Sequence, residues 1–303
     1  MSAALVIGGT GLLGRGVAAE LRREGHEVTL LSRSRKELPP ELSDCEALTA
    51  DRSDVDALRD ALADRTFEIV VDCAAYNRAD AENAIEVFSG NTGHYWFIGT
   101  DFVYAADPSA RFPLSERAAT QLDPPYAKHK LEAEAVLTAA ARKRGFPVTL
   151  LRPPHILGAG RPAGCDPAAG GRDVNLIQRL RDGAPIPLLA GGQFLIQPVW
   201  SREVGQCVHA LSGNLDTRGR IYNLAGSECV TTRCYYEILA DLCDGTLNIE
   251  PVDADRFAKD NPEAAHIVRH RIYDTRRLEK AGHTPSLRLR DALRDTLNGW
   301  PTP

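Results

Sequence analysis

The sequence has no run of eighteen apolar residues, so no membrane-spanning helix is expected. Its start passes straight into a strand-like apolar stretch, without the basic leader and apolar core of a signal peptide. The seven cysteines (Cys45, Cys73, Cys165, Cys207, Cys229, Cys234 and Cys243) include no C-x-x-C pair, and their number is odd. A disulfide framework is therefore not expected, and a reduced, cytoplasmic setting is. Excess positive charge is missing too. Lys and Arg number 36 against 41 Asp and Glu, a net charge of −5, so no general attraction to nucleic acid or to a membrane is expected. There is no internal repeat and no low-complexity tract. What remains is an ordinary globular composition, 43% hydrophobic and 25% charged, which can bury a sizeable core. A length of 303 residues suits about two domains, or one large α/β unit with a smaller companion.

The first half alternates short apolar runs with helical patterns. Strands are predicted at Ala3–Gly8, Glu27–Leu31, Cys45–Leu48, Ile69–Cys73, Tyr95–Gly99 and Val148–Arg152. Helices are predicted at Leu12–Arg23, Val55–Ala63, Ala79–Ser89 and Tyr126–Arg144. Several of the strands are apolar throughout, as burial on both sheet faces requires. The reading is an α/β fold: a Rossmann-type doubly wound parallel sheet over residues 1–152. Residues 153–171 are rich in Pro, Gly and Ala and suit an irregular loop over a site. Beyond it, helices are expected at Asp173–Asp182, Glu203–Ser212, Thr232–Asp244, Thr275–Ala281 and Leu289–Leu297, with strands near Phe194–Val199 and Arg220–Leu224. Residues 153–303 are thus read as a smaller substrate-binding lobe, some of whose elements return to the sheet.

Residues 8–14 read Gly8-Gly9-Thr10-Gly11-Leu12-Leu13-Gly14, between an apolar strand and an amphipathic helix. A side chain at these glycines would block the tight turn or hold a pyrophosphate away from the helix N-terminus, where free N–H groups and the dipole favour an anion. In that strand–loop–helix context the pattern points to a dinucleotide, held by Gly8, Thr10, Gly11, Leu12 and Leu13. The second strand ends Leu31-Ser32-Arg33-Ser34-Arg35, with no carboxylate for a ribose 2′-hydroxyl. Ser32 and Arg33 suit a 2′-phosphate instead, with Arg35 and Lys36 adding positive potential, so NADP(H) is expected over NAD(H). Asp51, with Arg52 beside it, follows the third strand where a carboxylate can meet the adenine amino group.

Tyr126 and Lys130 are four residues apart on one predicted helix and share a face. A phenol is a poor acid–base catalyst near neutrality, but a neighbouring ammonium would lower its pKa toward the working range. Thr100 sits at a strand's C-terminal end, where open α/β sheets bind ligands, and its hydroxyl can hold a substrate oxygen beside Tyr126.

With these residues the sequence resembles the extended short-chain dehydrogenases/reductases of the NAD-dependent epimerase/dehydratase type. The resemblance rests on the glycine motif, Asp51, Cys73-Ala74-Ala75, Thr100, Tyr104, Tyr126 with Lys130, Arg152-Pro153 and Ile221-Tyr222-Asn223-Leu224. It implies Thr100, Tyr126 and Lys130 as a catalytic triad, Lys130 also on the nicotinamide ribose, and Ala74 and Ala75 beside the cofactor. Two segments, residues 99–104 and 74–80, are similar to dTDP-4-dehydrorhamnose reductases. The stretch of residues 74–94 is shorter than in most sugar-nucleotide epimerases and lacks the helix start that commonly builds their dimer, which leaves the oligomeric state open. The compact layout also resembles the chloroplast stem-loop binding proteins.

The expected substrate is a small molecule with a keto or secondary hydroxyl group, most simply a nucleotide-linked sugar. Tyr76, Asp101, Arg161, Asn175 and Gln197 are the candidate contacts, with Arg172 a further polar handle. Two alternatives compete. One is an NADPH-dependent ketoreductase of a non-sugar metabolite, with Phe194, Leu195 and Trp200 as apolar walls. The other is a cofactor-sensing or RNA-binding protein on the same fold. No metal is expected: His266 and His270 are a helical turn apart but have no obvious third ligand. Cys229 and Cys234 are read as packing residues, and Arg142-Lys143-Arg144 as a solvated helix end.

Overall fold

The computed structural model describes residues 2–33, 38–63, 65–107 and 109–298. Arg35 and Lys36 lie outside them. Seven parallel strands form the central sheet in the order β3–β2–β1–β4–β5–β6–β11. These are β1 (Ala3–Ile7), β2 (Glu27–Ser32), β3 (Glu46–Thr49), β4 (Phe67–Asp72), β5 (Thr92–Ile98), β6 (Val148–Arg152) and, from the second half, β11 (Ile221–Asn223). The chain runs outward from β1 through β2 to β3, then returns to β4 on the other side of β1. That reversal leaves a crevice at the carboxyl ends of β1 and β4, where a doubly wound sheet binds its ligand.

Alternation along the strands supplies two cores. Ala4 and Val6 face one side with α1 (Leu12–Arg23) and α6 (Ser201–Leu211), through Val17, Leu21, Val204 and Val208. Leu5 and Ile7 face the other, under α2 (Val55–Leu62), α3 (Arg78–Phe88) and α4 (Pro125–Arg144), through Leu58, Ala84, Phe88, Ala133 and Leu137. The inner strands are mostly buried because helices cover both faces, whereas the edge strand β3 leaves Glu46 and Thr49 exposed.

The remaining chain builds a third core. Its strands are β7 (Ile156–Leu157), β8 (Pro185–Leu189), β9 (Leu195–Ile196), β10 (Val199–Trp200), β12 (Val230–Thr231) and β13 (Asn248–Val252). Its helices are α5 (Leu176–Arg181), α7 (Thr232–Leu242), α8 (Ala254–Asp260), α9 (Arg276–Ala281) and α10 (Leu289–Asn298). The parallel β8–β13 pair was not expected from the sequence. Pro185, Pro187 and Pro251 within it obscure a strand pattern. The single strand expected near Phe194–Val199 is two short ones, separated by Gln197-Pro198, since proline has no N–H to donate.

Candidate active site

The first βα turn is shaped by its glycines. Gly8 adopts φ +79°, a region that side chains avoid. A Cβ on Gly14 would sit 2.3 Å from the Gly8 carbonyl oxygen, so α1 can start this close to the turn only without one. Gly11 caps α1, whose first turn carries no acidic side chain, leaving its N–H groups and dipole to an anion.

Two cavities meet over this turn. One, about 420 Å³, is lined by Ile7, Gly8, Thr10, Gly11, Ser32, Arg33, Ala50–Ser53, Ala74 and Asp80. The other, also about 420 Å³, is lined by Leu12, Leu13, Thr100, Asp101, Phe102, Tyr126 and Lys130, together with Arg161, Arg172 and Arg271. Gly8, Gly11, Cys73 and Tyr76 border both. A groove that crosses a glycine turn and a helix N-terminus at the sheet's reversal fits a dinucleotide.

At the far end of the groove, Arg33 is exposed at the tip of β2. Asp51 is held in its ionised form by hydrogen bonds from the Ser53 hydroxyl (2.7 Å) and N–H (2.9 Å), with Arg33 and Arg52 adding positive charge. Arg52 lines the cavity, but its guanidinium is committed inside the protein, to Asp72 at 2.7 Å and Asp80 at 2.8 Å. Ala74 borders the groove, whereas Ala75 is fully buried and meets the site only through its carbonyl, which accepts from Lys130.

At the near end, α4 presents Tyr126 and Lys130. Pro124 and Pro125 start the helix, and Pro125 stands where a missing N–H costs nothing. Lys130 is buried and donates to the carbonyls of Ala75 (2.7 Å) and Ile98 (2.8 Å). Burial lowers its pKa to about 8, against the pull of Asp72 and Glu134. Tyr126 packs its ring against Tyr76 (6.2 Å between centroids) and edge-on to Phe102 (6.1 Å). The expected lowering of its pKa is reversed. Burial, then Tyr76 and Asp101, push the phenol up to about 12, and a hydrogen bond with Thr100 offsets only part of this. Thr100 is buried, and its hydroxyl also accepts the Phe102 N–H at 3.3 Å. Asp101 is buried and accepts from the Tyr273 hydroxyl at 2.6 Å.

Three arginines face this end. Arg172 donates to the carbonyls of Ile156 (2.8 Å) and Pro162 (3.0 Å), which holds it over the cavity, and Arg161 is exposed at the mouth. Arg271 is buried and, among the described residues, its guanidinium makes no ion pair. Burial works against its charge, but Asp101, Tyr273, Cys165 and Asp166 together outweigh it and keep its pKa above the usual value. No local pattern distinguishes Arg271 in the sequence from Arg269, which spends its guanidinium on the carbonyls of Tyr104 and Ala105.

Other expectations fall away. Asn175 sits exposed at the start of α5, outside the cavity lining. Gln197 donates to the Gly226 carbonyl (2.8 Å) and accepts the Tyr273 N–H (3.0 Å), so both ends of its amide are used in packing. Phe194, Leu195 and Trp200 do not line either cavity. Phe194 packs on His270, and the Trp200 indole donates to Asp295 at 2.9 Å. His270 accepts from the Leu195 N–H, while His266 stacks edge-on against Phe102. Cys229 is exposed rather than packed.

Residues 4–225 match the model of the NAD dependent epimerase/dehydratase family. The chain belongs to that family. The chloroplast stem-loop binding protein of 41 kDa b from Arabidopsis thaliana is 27% identical over 79% of this chain, and the match spans 61% of that longer protein. The GDP-6-deoxy-D-mannose reductase of Pseudomonas aeruginosa is 26% identical over 70% of this chain and 67% of its own length. In fold, the chain is similar to the UDP-N-acetylglucosamine 4-epimerase of Methanobrevibacter ruminantium M1, solved with UDP-N-acetylmuramic acid. That similarity has a TM-score of 0.79 and 19% identity over 98% of this chain and 97% of that one. Among the chain's described residues, no helix is long and apolar enough to cross a membrane.

Proposed function

We propose that this family member transfers hydride between NADP(H) and a keto or secondary hydroxyl group of an anionic, nucleotide-linked sugar. The observation that carries the reading is the second cavity, which Thr100, Tyr126 and Lys130 line together with Arg161, Arg172 and Arg271. The first three suit a reacting oxygen, and the arginines suit a diphosphate, which planar guanidinium forks can grip in pairs.

The bound nicotinamide would supply or take the hydride. The chain's own residues do the rest. Gly8, Thr10, Gly11, Leu12 and Leu13 bring backbone to the pyrophosphate, and Lys130 holds the nicotinamide ribose. Ser32 and Arg33 face the 2′-phosphate, and Asp51 the adenine. Thr100 and Tyr126 hold the substrate oxygen, and the Tyr126 phenol gives it a proton as the carbonyl carbon is reduced. The raised pKa keeps the phenol protonated throughout the physiological range, the state from which it can give a proton in ketone reduction. Tyr76 and Phe102 flank the phenol ring. Asp101 and Tyr76 complete the substrate wall.

The reading is tested by calorimetry with a panel of UDP-, GDP- and dTDP-linked sugars, on the wild type and on Arg271→Met. Binding of at least one sugar nucleotide, weakened about tenfold or more by the substitution, is the expected result, since a charge-assisted contact is worth about 1.5–3 kcal/mol. If none binds at millimolar concentration while a neutral ketone is reduced with NADPH, the anionic substrate is wrong.

A further inference from the structure

Arg52 stands at the tip of β3 beside the groove, which suggests an adenosine ligand, yet its hydrogen bonds run the other way. One guanidinium nitrogen donates to Asp72 at 2.7 Å and to the Asp80 carbonyl at 3.0 Å, and the other lies 2.8 Å from the Asp80 carboxylate. Both carboxylates are buried, as is Arg52. Asp72 also accepts the Tyr95 hydroxyl at 2.6 Å, and the rest of their capacity goes to the loop after β4. Asp72 accepts the N–H groups of Ala74 (2.9 Å) and Ala75 (2.8 Å). Asp80 accepts those of Tyr76 (2.7 Å) and Asn77 (3.2 Å). Four successive backbone donors are thus gathered by two carboxylates that a single guanidinium holds together. The middle of this loop then meets the candidate catalytic helix, because the Ala75 carbonyl accepts from Lys130 at 2.7 Å. Tyr76, in the same loop, borders both cavities and lies under the Lys130 ammonium, 4.8 Å from its ring centroid.

We propose that Arg52 is a positioning residue: it clamps the loop of residues 73–77 through Asp72 and Asp80, and so sets Lys130 and Tyr76 at the nicotinamide end of the groove. It does not act as a direct adenosine ligand. The proposal rests on the reading above that Lys130 holds the nicotinamide half. The arrangement asks for arginine, since the planar fork reaches two carboxylates at once, where a lysine would be a point charge on one of them. It is also balanced, with Arg52 and Lys130 facing Asp72 and Asp80, so removing Arg52 leaves buried negative charge without its partner.

Fragment binding tests this without a turnover assay. Dissociation constants of NADP⁺ and adenosine 2′,5′-bisphosphate, and of NAD⁺ and AMP, are measured by calorimetry on the wild type, Arg52→Met, Arg52→Lys, Asp80→Asn and Lys130→Met. Arg52→Met and Asp80→Asn are expected to weaken the dinucleotides about tenfold or more and the adenosine fragments less than about threefold. Arg52→Lys should fall between them and the wild type. Fragment and dinucleotide losing affinity equally would make Arg52 an adenosine ligand and overturn the proposal, as would no loss of either. If Arg52→Met does not fold, Asp80→Asn and Arg52→Lys carry the comparison. Lys130→Met separates the two levels. If it weakens the dinucleotides selectively and the Arg52 and Asp80 variants do not, only the clamp fails. If it has no selective effect, the role of Lys130 fails and takes the clamp with it.

Discussion

Tyr126 and Lys130 share a face of α4, yet the Lys130 ammonium lies 5.8 Å from the Tyr126 ring centroid and spends two of its three protons on the carbonyls of Ala75 and Ile98. The ammonium therefore does not bring the phenol toward neutrality, and burial leaves it at about 12. A protonated phenol is a donor. Tyr126→Phe removes the proton and keeps the ring that packs on Tyr76 and Phe102. Reduction should fall about 10²–10⁴-fold in single-turnover NADPH oxidation, with the cofactor dissociation constant unchanged. Near-normal turnover would place the acid elsewhere.

Arg33 is exposed at the tip of β2, on the lining of the adenosine-side cavity. Arg33→Ala should raise the NADPH dissociation constant about 10- to 100-fold, the worth of a charge-assisted contact to phosphate, and that of NADH less than about threefold. Both are measured at one ionic strength, because the contact is partly screened. Equal losses for the two cofactors, or tighter NADH binding in the wild type, would refute the NADP(H) preference.

Acid should weaken the fold through His94. This imidazole is buried, stacked on Trp96, and hydrogen-bonded to the Thr149 hydroxyl at 2.8 Å. Burial, with Arg218 nearby, lowers its pKa from 6.5 to about 4. Between those values the unfolded chain binds a proton that the folded chain refuses. The stability tied to neutral His94 is thus complete above pH 6.5 and is lost as the pH falls through about 4. The loss is on the order of 3 kcal/mol. Urea denaturation between pH 7 and 4 should show it in the wild type, with a shallower slope in His94→Gln. Identical slopes would mean that other groups carry the acid sensitivity.

Glu134 and Arg152 form a buried pair beneath the end of β5, with contacts of 2.6 and 3.0 Å. The Arg152 guanidinium also lies over the Tyr104 ring, 5.0 Å from its centroid. Glu134→Ala leaves that guanidinium buried without its carboxylate, which typically costs about 3–5 kcal/mol. Chemical denaturation at neutral pH would measure the loss, and a change under about 1 kcal/mol would mean that water or a rearranged neighbour replaces the carboxylate.

Local chemistry was legible in the sequence wherever a few neighbouring residues decide the outcome. The glycines at 8–14 dictate a tight turn into α1, because backbone sterics act over adjacent residues. Tyr126 and Lys130 share a face because helical pitch makes them neighbours. The apolar runs announced a sheet covered on both faces. Beyond that range the sequence was silent or misleading. Gln197 is polar and sits in the right stretch, but its amide is consumed by Gly226 and Tyr273. Asn175 is in the right stretch too and faces away from the cavity. Arg271 reaches the cavity that Thr100 opens only because the chain folds back across the sheet end. Arg52 shows the same limit most sharply: its position beside Asp51 was readable, and its partners were not. Spacing along the chain specifies which side chains share a turn or a face, since covalent geometry fixes those distances. Which buried charge meets which carboxylate depends on how distant segments pack, and only the tertiary structure decided that.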